Sequence, residues 1–218
     1  MKQKINPIQK ALNLWAIILI IWAVYRAKIR MPEWFDEFIA KPLVFVLPVF
    51  YYIKNIEKKN IFAGLYIKTK NFIPELFLGL GIGLIFFATT IFTTFIKTGR
   101  LDFFTRYIHP QQLLLMVSMA FATGISEEIL SRGFVLKRLY DESKNVYTSS
   151  FFASILFFFL HVPILFTNLK ITGNLLLLFM ATDLILSLIN SFIFLQRKSL
   201  TVPILIHVFY NLSLTLFL

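Results

Sequence analysis

The chain contains no cysteine. This absence excludes a disulfide framework, a thiolate nucleophile and any metal site that relies on cysteine ligands. Charged residues are scarce as well, at 15% of the sequence, whereas a soluble domain carries roughly a quarter of its residues as Asp, Glu, Lys and Arg. No internal repeat and no Gly/Ser-rich linker divides the chain. The sequence therefore lacks the polar surface that a protein of 218 residues needs in water.

Apolar residues take the place of the missing charges. Hydrophobic residues make up 58% of the chain, and phenylalanine alone occurs 26 times. Because only helices and closed barrels satisfy their backbone hydrogen bonds in lipid, long apolar runs predict an all-α, polytopic transmembrane bundle. The net charge of +11 does not favour a nucleic-acid partner, since the basic residues lie in short segments between apolar runs. There they fix topology and contact anionic lipid headgroups.

Seven segments are candidate membrane spans, judged against the roughly 20 apolar residues that cross a bilayer. The predicted spans are about 11–27, 38–53, 72–96, 112–136, 148–169, 174–195 and 200–218. The second is short and contains Pro42 and Pro48, which predicts a kinked or partly re-entrant segment. The first is expected to be retained, because no small-residue cleavage site follows it.

Lysine and arginine are unevenly distributed between the two sides of this topology. The segments on the side of the N-terminus carry more of them than the opposite segments, to which Lys41 is assigned. The bias predicts a cytoplasmic N-terminus in the cell membrane. The predicted bundle of about seven spans would then enclose a cavity that faces the cytoplasm.

Three charged residues interrupt the fourth predicted span. Glu128 and Arg132 are four residues apart, so they share a helix face and can pair. Glu127 is rotated by about 100° from its neighbour and has no evident helical partner. One carboxylate is then held by a guanidinium while the other is free to act as a general base. The alternative is that the span ends near Gly124 and the charges lie in a solvated loop.

Two histidines and an asparagine lie in the later apolar spans. His161 falls in the middle of the fifth span, and His207 and Asn211 share a face of the last one. Taken singly, His161 is more typical of a packing residue, and the other two of hydrogen bonds between helices. Taken together with Glu127, they can reach overlapping depths in one cavity. A Glu/His pair would activate water there, and a His/Asn pair would stabilise a tetrahedral oxyanion.

The three groups form an ordered motif set. The motifs read Glu127-Glu128-x-x-x-Arg132, Phe157-x-x-x-His161 and His207-x-x-x-Asn211, with Gly133 and Pro163 beside them. This set resembles the CAAX-protease and bacteriocin-processing (CPBP, or Abi) family of intramembrane proteases over roughly residues 112–215.

The resemblance implies an intramembrane endopeptidase with an assigned role for each motif. Members cleave prenylated CAAX proteins, process peptides or confer bacteriocin self-immunity, so a peptide or protein substrate and the bilayer are the expected partners. It further implies that Glu127 and His161 activate the attacking water. His207 and Asn211 would form the oxyanion site, with Glu128 and Arg132 supporting the scaffold. The domain division expected is 1–110 for N-terminal spans and 111–218 for the catalytic core.

Metal dependence remains open at the level of sequence. Glu127, His161 and His207 are a plausible set of zinc ligands with water in the fourth position. No HExxH motif occurs, however. The expectation is therefore metal-free, glutamate-dependent catalysis without a cofactor, with zinc as the alternative.

Two other functions compete with the protease. Buried Glu, His and Asp residues also build proton relays, so a proton-coupled transporter is an alternative, although no repeat of the usual transporter kind is detectable. A non-catalytic membrane immunity protein is a third. Asp183 and Asn190, both in the sixth span, are expected to be mainly structural, and His109 is expected to lie in a solvated loop.

Overall fold

The computed structural model describes residues 6–29, 31–67, 71–99, 108–167 and 173–217, and over these residues it contains helices and no strand. The helices are α1 (Pro7–Lys28), α2 (Glu33–Ile56), α3 (Ile61–Leu65), α4 (Phe72–Thr98), α5 (Pro110–Ser143), α6 (Val146–Thr167), α7 (Gly173–Arg197) and α8 (Thr201–Phe217). The predicted all-α class is confirmed.

Several of these helices have the length and composition of membrane spans. Within the described residues, α1, α2, α4, α5 and α6 are long and apolar enough to cross a bilayer, and α8 is a shorter apolar helix. Each of the seven predicted spans overlaps one helix, although α7 is not among those that meet the length and composition of a span. Residues 168, 169 and 218 of the predicted spans lie outside the described residues. Large apolar side chains such as Ile20, Phe77 and Leu114 are exposed on the outside, as expected of surfaces that contact lipid.

Helix α2 is longer than the sequence predicts. It runs for 24 residues and passes through both Pro42 and Pro48. Proline has no N–H to donate to the carbonyl four residues earlier, so the helix must change its hydrogen bonding around it. π-Helical turns at Asp36–Ala40 and Pro42–Val46 lie around these prolines, and a third follows at Tyr52–Ile56. The helix therefore continues through both prolines.

Helix α5 continues through the charged residues of the fourth predicted span. It extends for 34 residues, with a π-helical stretch over Ile129–Leu136. The alternative in which the span ends near Gly124 is therefore wrong. Glu127, Glu128 and Arg132 are all buried within the helix, so each charge requires a partner from the protein.

Glycines bring α8 close to its neighbours. A Cβ atom at Gly79 or Gly83 of α4 would approach side-chain atoms of Leu205 or Phe209 on α8 to within 2.7 Å and 2.4 Å, respectively. Small residues at such crossings let two helix backbones approach closely in a membrane. Gly124 of α5 faces α8 in the same way, and α8 is consequently wedged between α4 and α5.

The N-terminal helices share the main core with the C-terminal half. Trp22 of α1 packs edge-on against Phe45 of α2, with ring centroids 5.0 Å apart, and Tyr52 of α2 packs against Phe134 of α5 at 5.1 Å. Phe157 of α6 is buried in the same cluster. Helix α2 is therefore held directly against α5, the helix that carries the two glutamates.

Candidate active site

Glu128 is the centre of a buried hydrogen-bond network. Its Oε1 accepts from Nη1 of Arg132 at 3.0 Å, from Nδ2 of Asn190 at 3.1 Å and from Nδ1 of His207 at 2.9 Å. The predicted pairing with Arg132 is confirmed. The network also joins α5 to α7 and α8, which the sequence motif alone does not predict.

Arg132 is anchored on its other side by α6 and α7. Its Nη2 donates to the hydroxyl and the carbonyl oxygen of Ser187, at 2.8 Å and 3.1 Å. The guanidinium carbon lies 4.3 Å from the ring centroid of Phe157, a favourable position for a cation over an aromatic face. Three helices thus surround one guanidinium, and its geometry fixes that of Glu128.

Glu127 has a partner that the sequence does not reveal. Its Oε1 lies 2.8 Å from Nζ of Lys41 on α2, so the expectation of an unpaired carboxylate is wrong for this oxygen. The charge distribution counts Lys41 at the outer end of the second predicted span, and the structure shows that its side chain is buried within α2. Periodicity along one helix reports only neighbours three or four residues away, and this pair is separated by 86 positions.

The second oxygen of Glu127 faces both histidines. Oε2 is buried and has no hydrogen-bond partner among the described residues. Nε2 of His161 lies 3.5 Å from it and Nε2 of His207 lies 3.7 Å from it. These separations are longer than a direct N–H···O hydrogen bond. The two imidazoles therefore face the carboxylate oxygen without a direct hydrogen bond to it.

Each imidazole is oriented by acceptors at Nδ1. Nδ1 of His161 lies 3.3 Å from the carbonyl oxygen of Phe157 and 3.5 Å from Oδ2 of Asp183. Nδ1 of His207 contacts Glu128. These contacts fix the orientation of both rings and direct their Nε2 atoms at Oε2 of Glu127. A carboxylate behind the ring orients a catalytic histidine in the same way.

The cluster is nearly closed. The side chain of His161 is 14% exposed, against 5% for Glu127 and 3% for His207. The open side of the cluster is therefore at His161 on α6. The cavity predicted to face the cytoplasm stays a prediction.

Asn211 is the one predicted site residue without a contact to the others. It lies one turn beyond His207 on α8 and is half-buried. Its side chain makes no hydrogen bond to another described residue. Among the described residues, the structure thus brings together Glu127, Glu128, Arg132, His161 and His207 and leaves the Asn211 amide outside this cluster. His109, expected in a loop, is exposed at the start of α5.

Helix α7 contributes three polar side chains to the cluster. Asp183 faces His161, Ser187 accepts from Arg132, and Asn190 donates to Glu128. Their spacing of four and three residues places them on one face of α7. That spacing, in a helix otherwise apolar, is the signal that would have identified them.

The described residues do not fit a zinc site. No group of three or more His, Asp and Glu side chains among them converges closely enough to hold a metal ion. The ammonium group of Lys41 already lies against Glu127, and a second positive charge would be unfavourable beside it.

A protein-family model matches the part of the chain that carries the three motifs. Residues 109–213 match the family model described as type II CAAX prenyl endopeptidase Rce1-like. No curated protein and no solved structure is significantly similar to the chain. The matched residues run from the start of α5 into α8 and contain all three motifs. The match covers slightly less than half of the chain and confirms the resemblance to the CPBP proteases that the motifs indicate.

Proposed function

We propose that this protein is a glutamate-dependent intramembrane endopeptidase that cleaves near the C-terminus of a CAAX-type, lipid-modified protein or peptide. The observation that carries the proposal is the convergence of two imidazole Nε2 atoms on the one unpaired oxygen of Glu127. A buried carboxylate oxygen without a partner is costly unless a ligand or water completes it. The family match supports the substrate class.

Water activation falls to Glu127 and His161. A water molecule beside Oε2 of Glu127 would be within reach of Nε2 of His161, which lies on the open side of the cluster. The carboxylate removes one proton as the water oxygen attacks the carbonyl carbon of the scissile bond. His161, held from behind by Asp183, fixes the direction of the attack.

Stabilisation of the tetrahedral intermediate falls to His207 and Asn211. Both extend from one face of α8, and preorganised donors aimed at a developing oxyanion are among the largest contributions to catalysis. The role requires a proton on Nε2 of His207, and Glu128 on Nδ1 balances the positive charge this gives the ring. The unbonded amide of Asn211 supplies a second donor.

Collapse of the intermediate completes the reaction. The C–N bond breaks, and Glu127 returns its proton to the leaving amine. The products are a new carboxylate and a free amine, and the site is ready for another water. Glu128 and Arg132 take no part in proton transfer and hold His207 in place.

The experiment is cleavage by the purified protein in phosphatidylcholine vesicles. The probe is an internally quenched peptide that ends in a farnesylated cysteine followed by three further residues. Glu127→Gln keeps the shape of the side chain but removes its basicity, so we expect cleavage to fall by about 10²- to 10⁴-fold. The matched control is Glu142→Gln, an exposed glutamate at the end of α5.

Full activity in Glu127→Gln would reject Glu127 as the base. The same peptide without the farnesyl group tests the substrate class. Equal cleavage of both peptides would replace the CAAX-type substrate with an unlipidated one, as in peptide processing. Cleavage of neither peptide by the unsubstituted protein would reject the proposed activity.

A further inference from the structure

Lys41 occupies an unusual position for a lysine. It lies in the first half of a membrane-length helix, Glu33–Ile56, and is only 5% exposed. Its Nζ atom lies 2.8 Å from Oε1 of Glu127 and 2.7 Å from Oε2 of Glu37. An ammonium group inside a span is costly, and such residues mark functional sites by default.

We propose that Lys41 is a positioning residue that holds one oxygen of Glu127 so that the other alone faces the histidines and the attacking water. The inference rests on the proposed function, because it assigns Lys41 a part in that same site. It also concerns this chain in particular. Lys41 lies outside residues 109–213, so the family motifs do not include it.

The lysine is itself held in place from two helices. Glu37 precedes it by one turn of α2, and both oxygens of Glu37 contact Nζ. Thr123 of α5 donates its hydroxyl to Glu37. Because Thr123 precedes Glu127 by four residues, it lies on the same face of α5. A closed ring of contacts therefore connects Thr123, Glu37, Lys41 and Glu127.

The backbone around Lys41 is adapted to this arrangement. The residue lies between two π-helical turns, Asp36–Ala40 and Pro42–Val46. Single π-helical turns within α-helices occur frequently at functional sites. Here the widened turns allow α2 to present Glu37 and Lys41 together toward α5.

The contact with Lys41 would fix the orientation of the Glu127 carboxylate. A carboxylate with two free oxygens can rotate and offer either one to water. With Oε1 bound to an ammonium group, only Oε2 remains, and it points at Nε2 of His161 and of His207. A misplacement of about 1 Å can cost about 100-fold in rate, so fixing this carboxylate has a direct effect on turnover.

A salt bridge that only stabilised the fold would make the same contacts. The experiment therefore has to separate an effect on catalysis from an effect on stability. We would measure kcat, KM and thermal unfolding in the same vesicles with the farnesylated peptide. Lys41→Met removes the charge but keeps an apolar chain of similar length. Lys41→Arg restores a cation of similar reach. Lys137→Met is the matched control, a buried lysine outside the site that pairs with Asp141.

We expect kcat of Lys41→Met to fall by about 100-fold with KM changed less than about threefold, since substrate binding is not involved. Lys41→Arg should recover most of the lost kcat, and Lys137→Met should leave it unchanged. The double variant Lys41→Met/Glu127→Gln should be no slower than Glu127→Gln alone, because the lysine acts through the glutamate.

Contrary results are equally specific. An unchanged kcat in folded Lys41→Met, or a double variant slower than Glu127→Gln by the full effect of Lys41→Met, would overturn the inference. If Lys41→Met does not fold, Glu37→Gln decides, since it loosens the lysine without removing its charge; a lowered kcat supports the role and an unchanged one rejects it. Loss of cleavage in Glu127→Gln with full activity in Lys41→Met would reject this inference alone. Full activity in Glu127→Gln would reject the proposed function.

Discussion

Nδ1 of His207 lies 2.9 Å from Oε1 of Glu128, and this contact separates the duties of two adjacent glutamates. Glu128 is bound on one oxygen by donors from α5, α7 and α8, whereas Glu127 keeps one oxygen free between two imidazoles. Two carboxylates in different surroundings can serve as scaffold and as base.

Arg132 should be essential for the stability of the bundle. Arg132→Met removes the cation that pairs with fully buried Glu128, and breaking one side of a buried pair costs about 3–5 kcal/mol. Thermal unfolding in detergent would measure the loss. Lys137→Met is the comparison, because its partner Asp141 is 44% exposed and such pairs contribute at most about 1 kcal/mol. Similar losses in both variants would contradict the central role of Arg132.

Asp183 should affect turnover more than folding. Asp183→Asn removes the carboxylate charge that faces Nδ1 of His161, and loss of a carboxylate that orients a catalytic histidine lowers kcat by up to about 10⁴-fold. We expect kcat with the farnesylated peptide to fall within that range. Asp141→Asn, at an exposed carboxylate, should have no effect. A stability loss in Asp183→Asn with unchanged kcat would show that Asp183 serves packing alone.

The glycines of α4 provide a matched pair for the packing of α8. A Cβ at Gly83 would lie 2.4 Å from Phe209, whereas a Cβ at Gly81 meets nothing within 4 Å. Gly83→Ala should therefore destabilise the protein by about 1–3 kcal/mol through overpacking. Gly81→Ala should be neutral or stabilise it by up to about 1 kcal/mol, because alanine favours helix. Unfolding midpoints that shift equally for both would refute the close α4–α8 contact.

Chelation should leave the activity unchanged. The proposed mechanism relies on Glu127 and His161 and uses no metal, so prolonged incubation with 1,10-phenanthroline and removal of the chelator should preserve kcat. Loss of cleavage that returns on addition of Zn²⁺ would instead support the zinc alternative, with Glu127, His161 and His207 as ligands. A soluble zinc protease treated in parallel verifies that the chelator is effective.

The topology can be tested with single cysteines, because the chain has none of its own. Nδ2 of Asn6 donates to Glu142 at 3.2 Å, so the start of α1 and the α5–α6 connection lie at the same end of the bundle. With a cytoplasmic N-terminus, a membrane-impermeant maleimide should label His109→Cys in intact cells. It should label Asn145→Cys only after permeabilisation, and the reverse pattern would invert the proposed orientation.

The parts of the site that are local in sequence were the predictable ones. Glu128 and Arg132 pair because they are four residues apart on one helix, and this periodicity is visible without a structure. The partner of Glu127 was not predictable, since Lys41 reaches it from another helix through tertiary packing. Pro42 and Pro48 predicted a kinked or partly re-entrant segment, but the helix continues through both of them for 24 residues. Asp183 was partly predictable. Its spacing with Ser187 and Asn190 places the three side chains on one face of α7, but the sequence alone indicated a mainly structural role for Asp183.

The contact between Lys41 and Glu127 also limits how the chain can be divided. Residues 109–213 carry the motifs of the family, yet the cation against the central carboxylate belongs to the second helix. A chimera that joins this segment to the N-terminal helices of another membrane protein would keep both histidines and both glutamates. Glu127 would then be buried without the lysine that neutralises it. An active chimera therefore has to include α2.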